Sequence, residues 1–250
     1  MGNVSFVNIE KAEFLSRKLI FKYVDIEHAL KLLKTKNLWF ANPTIWKDPF
    51  EKRFIEAKYS GMDFPWKDKV FCTCFTNVFN SEAFWKAYSN NGICAKISFY
   101  REGLLEILEQ YANKNQGVKI FVGKAEYMKT HEITCPLGSI PFNPSIVPSM
   151  DDSFLARLLL LKRVAYQFED EYRVLVVKNK KSKSPKGIDV PFRIDIDKLI
   201  ERITLDPKLE PYTSSLLKES IKNYMKNGQH IKVFQSSLYK NNVKSMGFVI

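Results

Sequence analysis

Two glutamates, separated by a single aspartate, lie where a long apolar segment begins, in Gln167-Phe-Glu-Asp-Glu-Tyr-Arg-Val-Leu-Val-Val177. Side chains alternate along a strand, so Glu169, Glu171 and Arg173 are expected to point to one face. Neighbouring carboxylates repel each other unless a cation or a polar substrate lies between them. The pattern therefore indicates either an acidic pair that acts on a substrate or a strand start with a salt bridge to Arg173. This segment alone favours the salt bridge.

Two segments near the N-terminus combine aromatic and polar residues. Phe21-Lys-Tyr23 is followed at once by a helical pattern that starts near Asp25. Leu38-Trp-Phe-Ala-Asn-Pro-Thr-Ile-Trp-Lys-Asp-Pro-Phe-Glu51 brings Trp, Phe, Asn, Asp and Glu close together. Such a mixture is typical of a pocket with aromatic walls and a polar rim. Ordinary core packing around an Asn/Asp turn is the alternative, and it is preferred for Phe40 and Phe50.

The cysteines do not predict a metal site. Cys72 and Cys74 form a C-x-C pair, and the next histidine is His131. Structural zinc sites instead pair a C-x2-4-C motif with a second set of ligands. On a strand, the two cysteines would share one face as small buried residues. Reduced cysteines in apolar contexts also favour the cytoplasm as the compartment.

Apolar periodicity and turn residues place these segments in alternating strands and helices. The predicted strands cover residues 19–23, 38–41, 70–76, 93–99, 171–177 and 230–234, and 118–128 is also extended. The predicted helices cover 25–34, 81–88, 103–111, 151–164, 197–202 and 214–226, and 46–51 is an irregular loop or short turn. This order predicts one α+β domain over residues 1–250, with a mixed, mostly antiparallel sheet flanked by helices. A proline-rich loop or lid is expected near 129–150 and a basic loop near 178–187.

The composition narrows the class of protein and of partner. The chain has 250 residues, 45% of them hydrophobic, which excludes a disordered chain. The net charge of +12 favours an acidic partner such as nucleic acid. Lys180, Lys181 and Lys183, with Arg173, could form a track for that partner, although a lysine-rich run is as often a solvated loop. No stretch predicts a signal peptide or a membrane span.

Several sequence blocks resemble a widespread bacterial family of uncharacterised domains. The blocks are ALKLLKTKNLWFANPTIWKDPFE, CTCFT, FWKAYSNNGICAKISF and FEDEYRVLVV, and together they span about residues 19–235. The D-P-F-E and E-x-E-x-R motifs carry most of the resemblance. Trp46 stands where members of that family often have phenylalanine.

The order of the motifs also resembles that of the ADP-ribosyltransferases. A first strand with a cationic residue, then a helix, and a late strand that opens with E-x-E form their layout. The resemblance implies an ADP-ribosyltransferase-like fold that binds NAD as a substrate, with no metal. It assigns these residues to the NAD pocket: Lys22, Tyr23, Trp39, Thr73, Thr76, Trp85 and Tyr88. Lys22 stands where Arg or His is more usual, and a Ser-Thr-Ser run is absent from the sequence.

The same resemblance assigns the catalytic roles. It makes Glu171 the catalytic carboxylate and Glu169 the residue that orients the acceptor. Cleavage of the nicotinamide glycosidic bond produces an oxocarbenium-like ribose, which a fixed carboxylate can stabilise. A second carboxylate can deprotonate the acceptor.

We therefore expect a cytoplasmic, NAD-dependent ADP-ribosyltransferase of the toxin or phage-defence type that modifies RNA or DNA. The family resemblance also implies an antitoxin protein as a partner, and a protein acceptor is a further option. One alternative is a non-catalytic module that binds nucleic acid or another macromolecule. Another is a metal-dependent nuclease, which would require Asp48, Glu51, Glu169 and Glu171 to converge.

Overall fold

The structure is a computed structural model that describes residues 4–59, 61–89, 93–134, 151–182, 184, 186–225 and 231–239. Its strands are β1 (Val4–Val7), β2 (Leu19–Asp25), β3 (Asn37–Ala41), β4 (Lys58–Tyr59), β5 (Met62–Asp63), β6 (Val70–Thr76), β7 (Cys94–Tyr100), β8 (Lys119–Lys124), β9 (Glu126–Met128), β10 (Leu161–Arg163), β11 (Glu171–Val177), β12 (Gly187–Pro191), β13 (Ile200–Leu205) and β14 (Lys232–Gln235). Its α-helices are α1 (Lys11–Leu15), α2 (Ile26–Thr35), α3 (Pro49–Glu56), α4 (Glu82–Tyr88), α5 (Arg101–Lys114), α6 (Thr130–Thr134), α7 (Asp152–Leu158), α8 (Ile196–Leu199) and α9 (Pro211–Asn223).

One large mixed sheet organises the fold. Eight of its strands follow the order β1-β8-β11-β6-β2-β7-β13-β14, and β3 and β12 join beside β6. The inner pairs are antiparallel, whereas the outer pairs β1–β8 and β13–β14 are parallel. The predicted α+β class with a mixed, mostly antiparallel sheet and flanking helices is therefore confirmed.

The central strands form where apolar residues run without interruption. Every residue of β11 is buried, and so is nearly every residue of β6. Strands buried on both faces read as continuous apolar runs, which is why both segments were identifiable from sequence. A larger core packs on the face that holds Phe75 and Val174, and a smaller one packs on the face that holds Cys72 and Leu175.

Capping residues fix where α2, the helix that follows β2, begins and ends. The Asp25 side chain accepts a hydrogen bond from the backbone N–H of His28, and Lys36 ends α2 in the left-handed conformation. An N-cap carboxylate satisfies a backbone donor that has no partner inside the helix. The helix then returns the chain to the sheet at β3.

On one side, strand β6 has no paired neighbour over part of its length, and the site lies at this gap. Residues 70–76 of β6 pair with β11 along the whole strand. On the opposite side, β2 pairs only at Phe21–Thr76 and β3 pairs only at Ala41–Cys72. Between these two pairs the edge of β6 opens into a split between β2 and β3, among the strands described.

Some predicted element bounds were wrong. The helix predicted over 151–164 ends at Leu158, and Leu161–Arg163 instead pairs with β9 as a strand. The loop predicted over 46–51 contains the start of α3, and the helix predicted over 197–202 gives way to β13 at Ile200. Of the predicted proline-rich loop, residues 135–150 lie outside the described residues, and residues 130–134 are helical. Within the described part of the chain, no helix is long and apolar enough to cross a membrane.

Candidate active site

A cavity of about 340 Å³ opens at the split beside β6. Its walls come from β2, the first turns of α2, β3 and the exposed edge of β6, and Glu169 and Glu171 also line it. Six of the seven residues that the sequence placed in the NAD pocket line this cavity: Lys22, Tyr23, Trp39, Thr73, Thr76 and Tyr88. The structure thus brings most of the predicted site together in one cleft.

Glu171 lies at the base of this cleft with both of its carboxylate oxygens bonded. Arg173 donates from Nε to Oε1 and from Nη2 to Oε2, both at 3.1 Å. Lys162 Nζ donates to Oε2 at 2.7 Å. The backbone N–H of Glu171 donates to the Tyr127 hydroxyl at 2.9 Å. Glu171 is only 4% exposed, so these partners hold a carboxylate that has lost most of its water.

Glu169 reaches the same cation from outside the strand. It ends a 3-10 turn (Val164–Glu169), and Asp170 follows with a left-handed φ of 37° before β11 begins. The prediction that strand alternation aligns the two glutamates was therefore wrong, since Glu169 is not in the strand. The two carboxylates meet because Lys162 Nζ donates to both of them.

Glu51 is the third carboxylate of the cluster. Its oxygens lie 3.4 Å from Lys162 Nζ and 3.2 Å from Arg173 Nη2. It lies on the first turn of α3, which Asp48 begins by accepting a hydrogen bond from the Phe50 backbone N–H. The same aspartate pairs with Arg163 at 3.0 Å. The Asp-Pro-Phe-Glu motif thus connects α3 to the site. Of the four acids that a metal-dependent nuclease would require, Glu51, Glu169 and Glu171 meet around Lys162, whereas Asp48 caps α3 and pairs with Arg163.

The surroundings shift the pKa values of the two glutamates of the cleft in opposite directions. Burial alone would raise the pKa of Glu171, but the charges of Arg173 and Lys162 outweigh it and lower the pKa to about 2. Burial raises the pKa of Glu169 above its usual value, because Lys162 offsets it incompletely and Glu171 and Glu51 add like charge. Two carboxylates with divergent pKa values are suited to different parts in one reaction.

Lys22 belongs to β2, and its ammonium group lies at the unpaired edge of β6. Its Nζ donates to the Cys74 carbonyl at 2.9 Å and lies 5.4 Å from the centre of the Phe75 ring. Burial lowers the pKa of Lys22, although Cys74, Cys72 and Glu171 oppose that shift. An ammonium group that binds a strand edge through one donor keeps donors for an anion.

The two threonines differ in what their hydroxyls do. Thr76 Oγ1 donates to the Glu169 carbonyl and accepts from the Val78 backbone N–H, so it secures the turn that carries Glu169. The Thr73 hydroxyl is buried and makes no hydrogen bond within the described structure. A buried hydroxyl without a partner is costly, and one beside a cleft is ready for a ligand.

Stacked rings form another wall. Tyr23 stacks on Phe84 at 4.7 Å between ring centres, and Phe84 stacks on Tyr88 at 5.8 Å. Trp85 packs edge-on against Tyr23 and donates to the Asn80 side chain. It does not line the cavity, in contrast to the other six residues predicted for the NAD pocket, and it supports Tyr23 from the buried side.

One of the residues predicted for the basic track, Arg173, cannot belong to it. Arg173 is 1% exposed and bonded to Glu171, Glu51 and the Leu159 carbonyl, so it cannot contact a partner on the surface. Lys180 and Lys181 are exposed, and Lys181 pairs with Asp68. They follow the C-terminal end of β11, about 20 Å from Glu171 at the usual rise per residue. Lys183 lies outside the described residues.

Lys162 is the site residue that the sequence analysis missed. It is 6% exposed and contacts three carboxylates. The one available signal was its place directly after four leucines, where a charge must be buried with a partner. Within the described residues, no group of His, Cys, Asp or Glu is arranged to hold a metal ion.

Comparisons with known proteins give one match. No family model matches the chain, and neither does any curated protein. Among solved structures, Thermus sp. 2.9 DarT in complex with NAD+ matches with 12% sequence identity and a TM-score of 0.39, over 88% of this chain and 95% of that chain. At this TM-score the likeness assigns no residue roles, so these rest on the geometry of the cleft.

Proposed function

We propose that this protein is an NAD-dependent ADP-ribosyltransferase and that its acceptor is a nucleic acid. The observation that carries the proposal is the meeting of Glu169 and Glu171 in a cleft that also holds Lys22 and Thr73. The family resemblance had assigned each of these residues a part in the same reaction, although they come from distant parts of the chain.

The charge balance of the cluster suits a reaction that creates positive charge. Three carboxylates, from Glu51, Glu169 and Glu171, meet two cations, Lys162 and Arg173. When all five groups are ionised, one negative charge is left over beside the cavity. A preorganised negative charge in a water-poor site stabilises a developing cation strongly.

The two glutamates have different roles in the proposed reaction. NAD would lie with its pyrophosphate near Lys22 and its nicotinamide ribose over Glu171. As the C1′–N bond breaks, its electron pair leaves with nicotinamide, and Glu171 stabilises the cationic ribose. The acceptor atom then bonds to C1′, and Glu169 takes its proton. The raised pKa of Glu169 fits a proton acceptor, and the lowered pKa of Glu171 fits a carboxylate that stays charged.

The choice of nucleic acid as acceptor rests on the net charge. A surplus of twelve positive charges attracts phosphate chains. The sequence resemblance adds that the protein is a cytoplasmic toxin or phage-defence effector with an antitoxin partner. The nuclease alternative is disfavoured, because Lys162 and Arg173 already occupy the carboxylates that a metal would need.

The proposal is tested with labelled NAD and separate pools of RNA, DNA and protein. Wild-type protein should release nicotinamide and transfer label to nucleic acid. Glu171→Gln should reduce turnover by about a hundredfold or more, the usual effect of removing one electrostatic stabiliser, with little change in NAD affinity. Glu169→Gln should reduce transfer more than nicotinamide release to water.

Glu201→Gln is the matched control, since Glu201 also pairs with an arginine, Arg202 at 2.8 Å, but does not line the cavity. It should leave turnover unchanged. Folded wild-type protein that neither transfers label nor releases nicotinamide would refute the enzyme. Label found only on protein would refute the nucleic-acid acceptor and keep the enzyme.

A further inference from the structure

Lys162 lies between the two carboxylates of the proposed reaction. Its Nζ contacts Glu169 and Glu171, and it lies 3.4 Å from Glu51. Arg173 contacts Glu171 and Glu51, but no contact joins it to Glu169 among the described residues. Lys162 is thus the single cation that touches Glu169 in the described structure.

We propose that Lys162 is a positioning residue that holds Glu169 as a carboxylate aimed into the cleft, ready to take the proton of the acceptor. The inference deepens the proposed function and rests on it for the identity of the reaction. The contact itself, between a 6% exposed ammonium and a 9% exposed carboxylate, is independent of that identity.

The groups that surround this contact mostly oppose ionisation of Glu169. The titratable and charged groups facing it are Glu51 on α3, Cys74 on β6, Tyr88 on α4, Tyr127 on β9, Tyr166 in the 3-10 turn, and Glu171 and Arg173 on β11. Two of these, Tyr88 and Tyr127, are kept neutral, because burial raises the pKa of each hydroxyl. Glu51 and Glu171 repel a third negative charge. Without Lys162, Glu169 would be a buried carboxylate beside two others.

Glu51 is the remaining carboxylate of the cluster. It contacts both cations and is not among the residues that line the cavity. Its negative charge also interacts with Lys162, so the positive charge of Lys162 stabilises the Glu169 carboxylate less than it otherwise would. Removal of Lys162 and removal of the Glu51 charge should therefore move Glu169 in opposite directions.

The test is a carbon-13 NMR titration of protein labelled at the glutamate carboxyl carbons. Lys162→Met should raise the pKa of Glu169 by about one unit or more, the usual effect of losing an adjacent opposite charge. Glu51→Gln should lower it. Lys162→Arg should leave it near the wild-type value. The matched control is Lys119→Met, which removes an exposed lysine that pairs with Asp152 at the far end of β8.

Activity gives a second readout. In Lys162→Met the acid limb of the pH profile for transfer should move to higher pH by the same amount, with KM for NAD unchanged. If wild-type protein has no transferase activity, the proposed function fails, and the titration still decides the role of Lys162. An unchanged Glu169 pKa in Lys162→Met overturns the inference. If that variant does not fold, an unchanged or raised pKa in Glu51→Gln overturns it.

Discussion

Glu169 and Glu171 are two residues apart, yet the structure gives them different chemical characters. Glu171 contacts two cations and accepts on both carboxylate oxygens, whereas Lys162 is the one cation that contacts the Glu169 carboxylate among the described residues. A buried carboxylate keeps its charge only if enough opposite charge compensates for the lost water. The number of cationic partners, and not the position in the sequence, therefore separates the two residues.

At this scale we expect Glu171 to stabilise the folded protein in a pH-dependent way. Its pKa falls from 4.5 to about 2 on folding. Its contribution is therefore complete above pH 4.5 and is lost as the pH falls towards 2. A shift of this size corresponds to about 3 kcal/mol of unfolding free energy. Urea denaturation of wild type and Glu171→Gln across this range should show a stability difference that shrinks in acid.

For Glu169→Gln we expect a pH dependence of stability with the opposite sign. The pKa of Glu169 is raised, so the stability that its protonated form contributes is lost as pH rises through that pKa. The glutamine variant should therefore be better tolerated at neutral pH than in acid. A stability difference that is constant with pH in both variants would contradict the assigned ionisation states.

At the scale of elements, α3 carries Glu51 to the cluster and Asp48 fixes where that helix begins. Asp48 caps α3, and its other oxygen pairs with Arg163, which also lies over the Phe50 ring at 4.6 Å. One side chain thus connects the helix start to the strand that bears Lys162. The geometry of the cluster depends on this connection between α3 and β10.

Asp48→Ala should reduce the unfolding free energy by about 2 kcal/mol, since it removes both the cap and the partner of Arg163. Asp48→Asn should cost about half as much, because asparagine also caps helices. Asp151, which caps α7 through the Phe154 backbone N–H, gives the reference cost of a cap in Asp151→Ala. Equal stability of the two Asp48 variants would show that the cap contributes nothing, and an Asp48→Asn variant as stable as wild type would show that the Arg163 pair contributes nothing.

At the scale of the whole molecule, the net charge of +12 and the lysines that follow β11 bear on how a long acceptor would be held. Lys180 and Lys181 follow β11 at the strand end away from Glu171, and that end lies about 20 Å from Glu171 at the usual rise per residue. The chain then returns to the cleft, because Gly187 begins β12 and pairs with Ala41, which lines the cavity. A long acceptor could contact these lysines and the cleft together.

Replacing Lys180, Lys181 and Lys183 with glutamine should flatten the salt dependence of RNA or single-stranded DNA binding. Each lost phosphate contact should reduce the slope of log K against log salt by roughly 0.7. Replacement of Lys218, Lys222 and Lys232, which lie on α9 and β14, removes equal charge elsewhere and serves as the control. An unchanged slope in the loop variant, measured by fluorescence anisotropy, would make the loop a solvated connection only.

The amino-acid sequence by itself determined the elements whose signals are local. Continuous apolar runs identified β6 and β11, and the Asp25 cap identified α2. The prediction that Glu171 and Arg173 share a face and form a salt bridge is confirmed, because strand alternation acts between near neighbours.

Tertiary structure alone decided which residues complete the site. Lys162 and Glu51 are 111 positions apart in the chain, and nothing in the periodicity of either segment indicates the other. The leucines before Lys162 suit a helix as well as a strand, and pairing with β9 decided for the strand. The split between β2 and β3 likewise exists only in the assembled sheet. A buried cation is stable only where carboxylates from several elements meet, so its role followed from packing and could not be read from its neighbours in sequence.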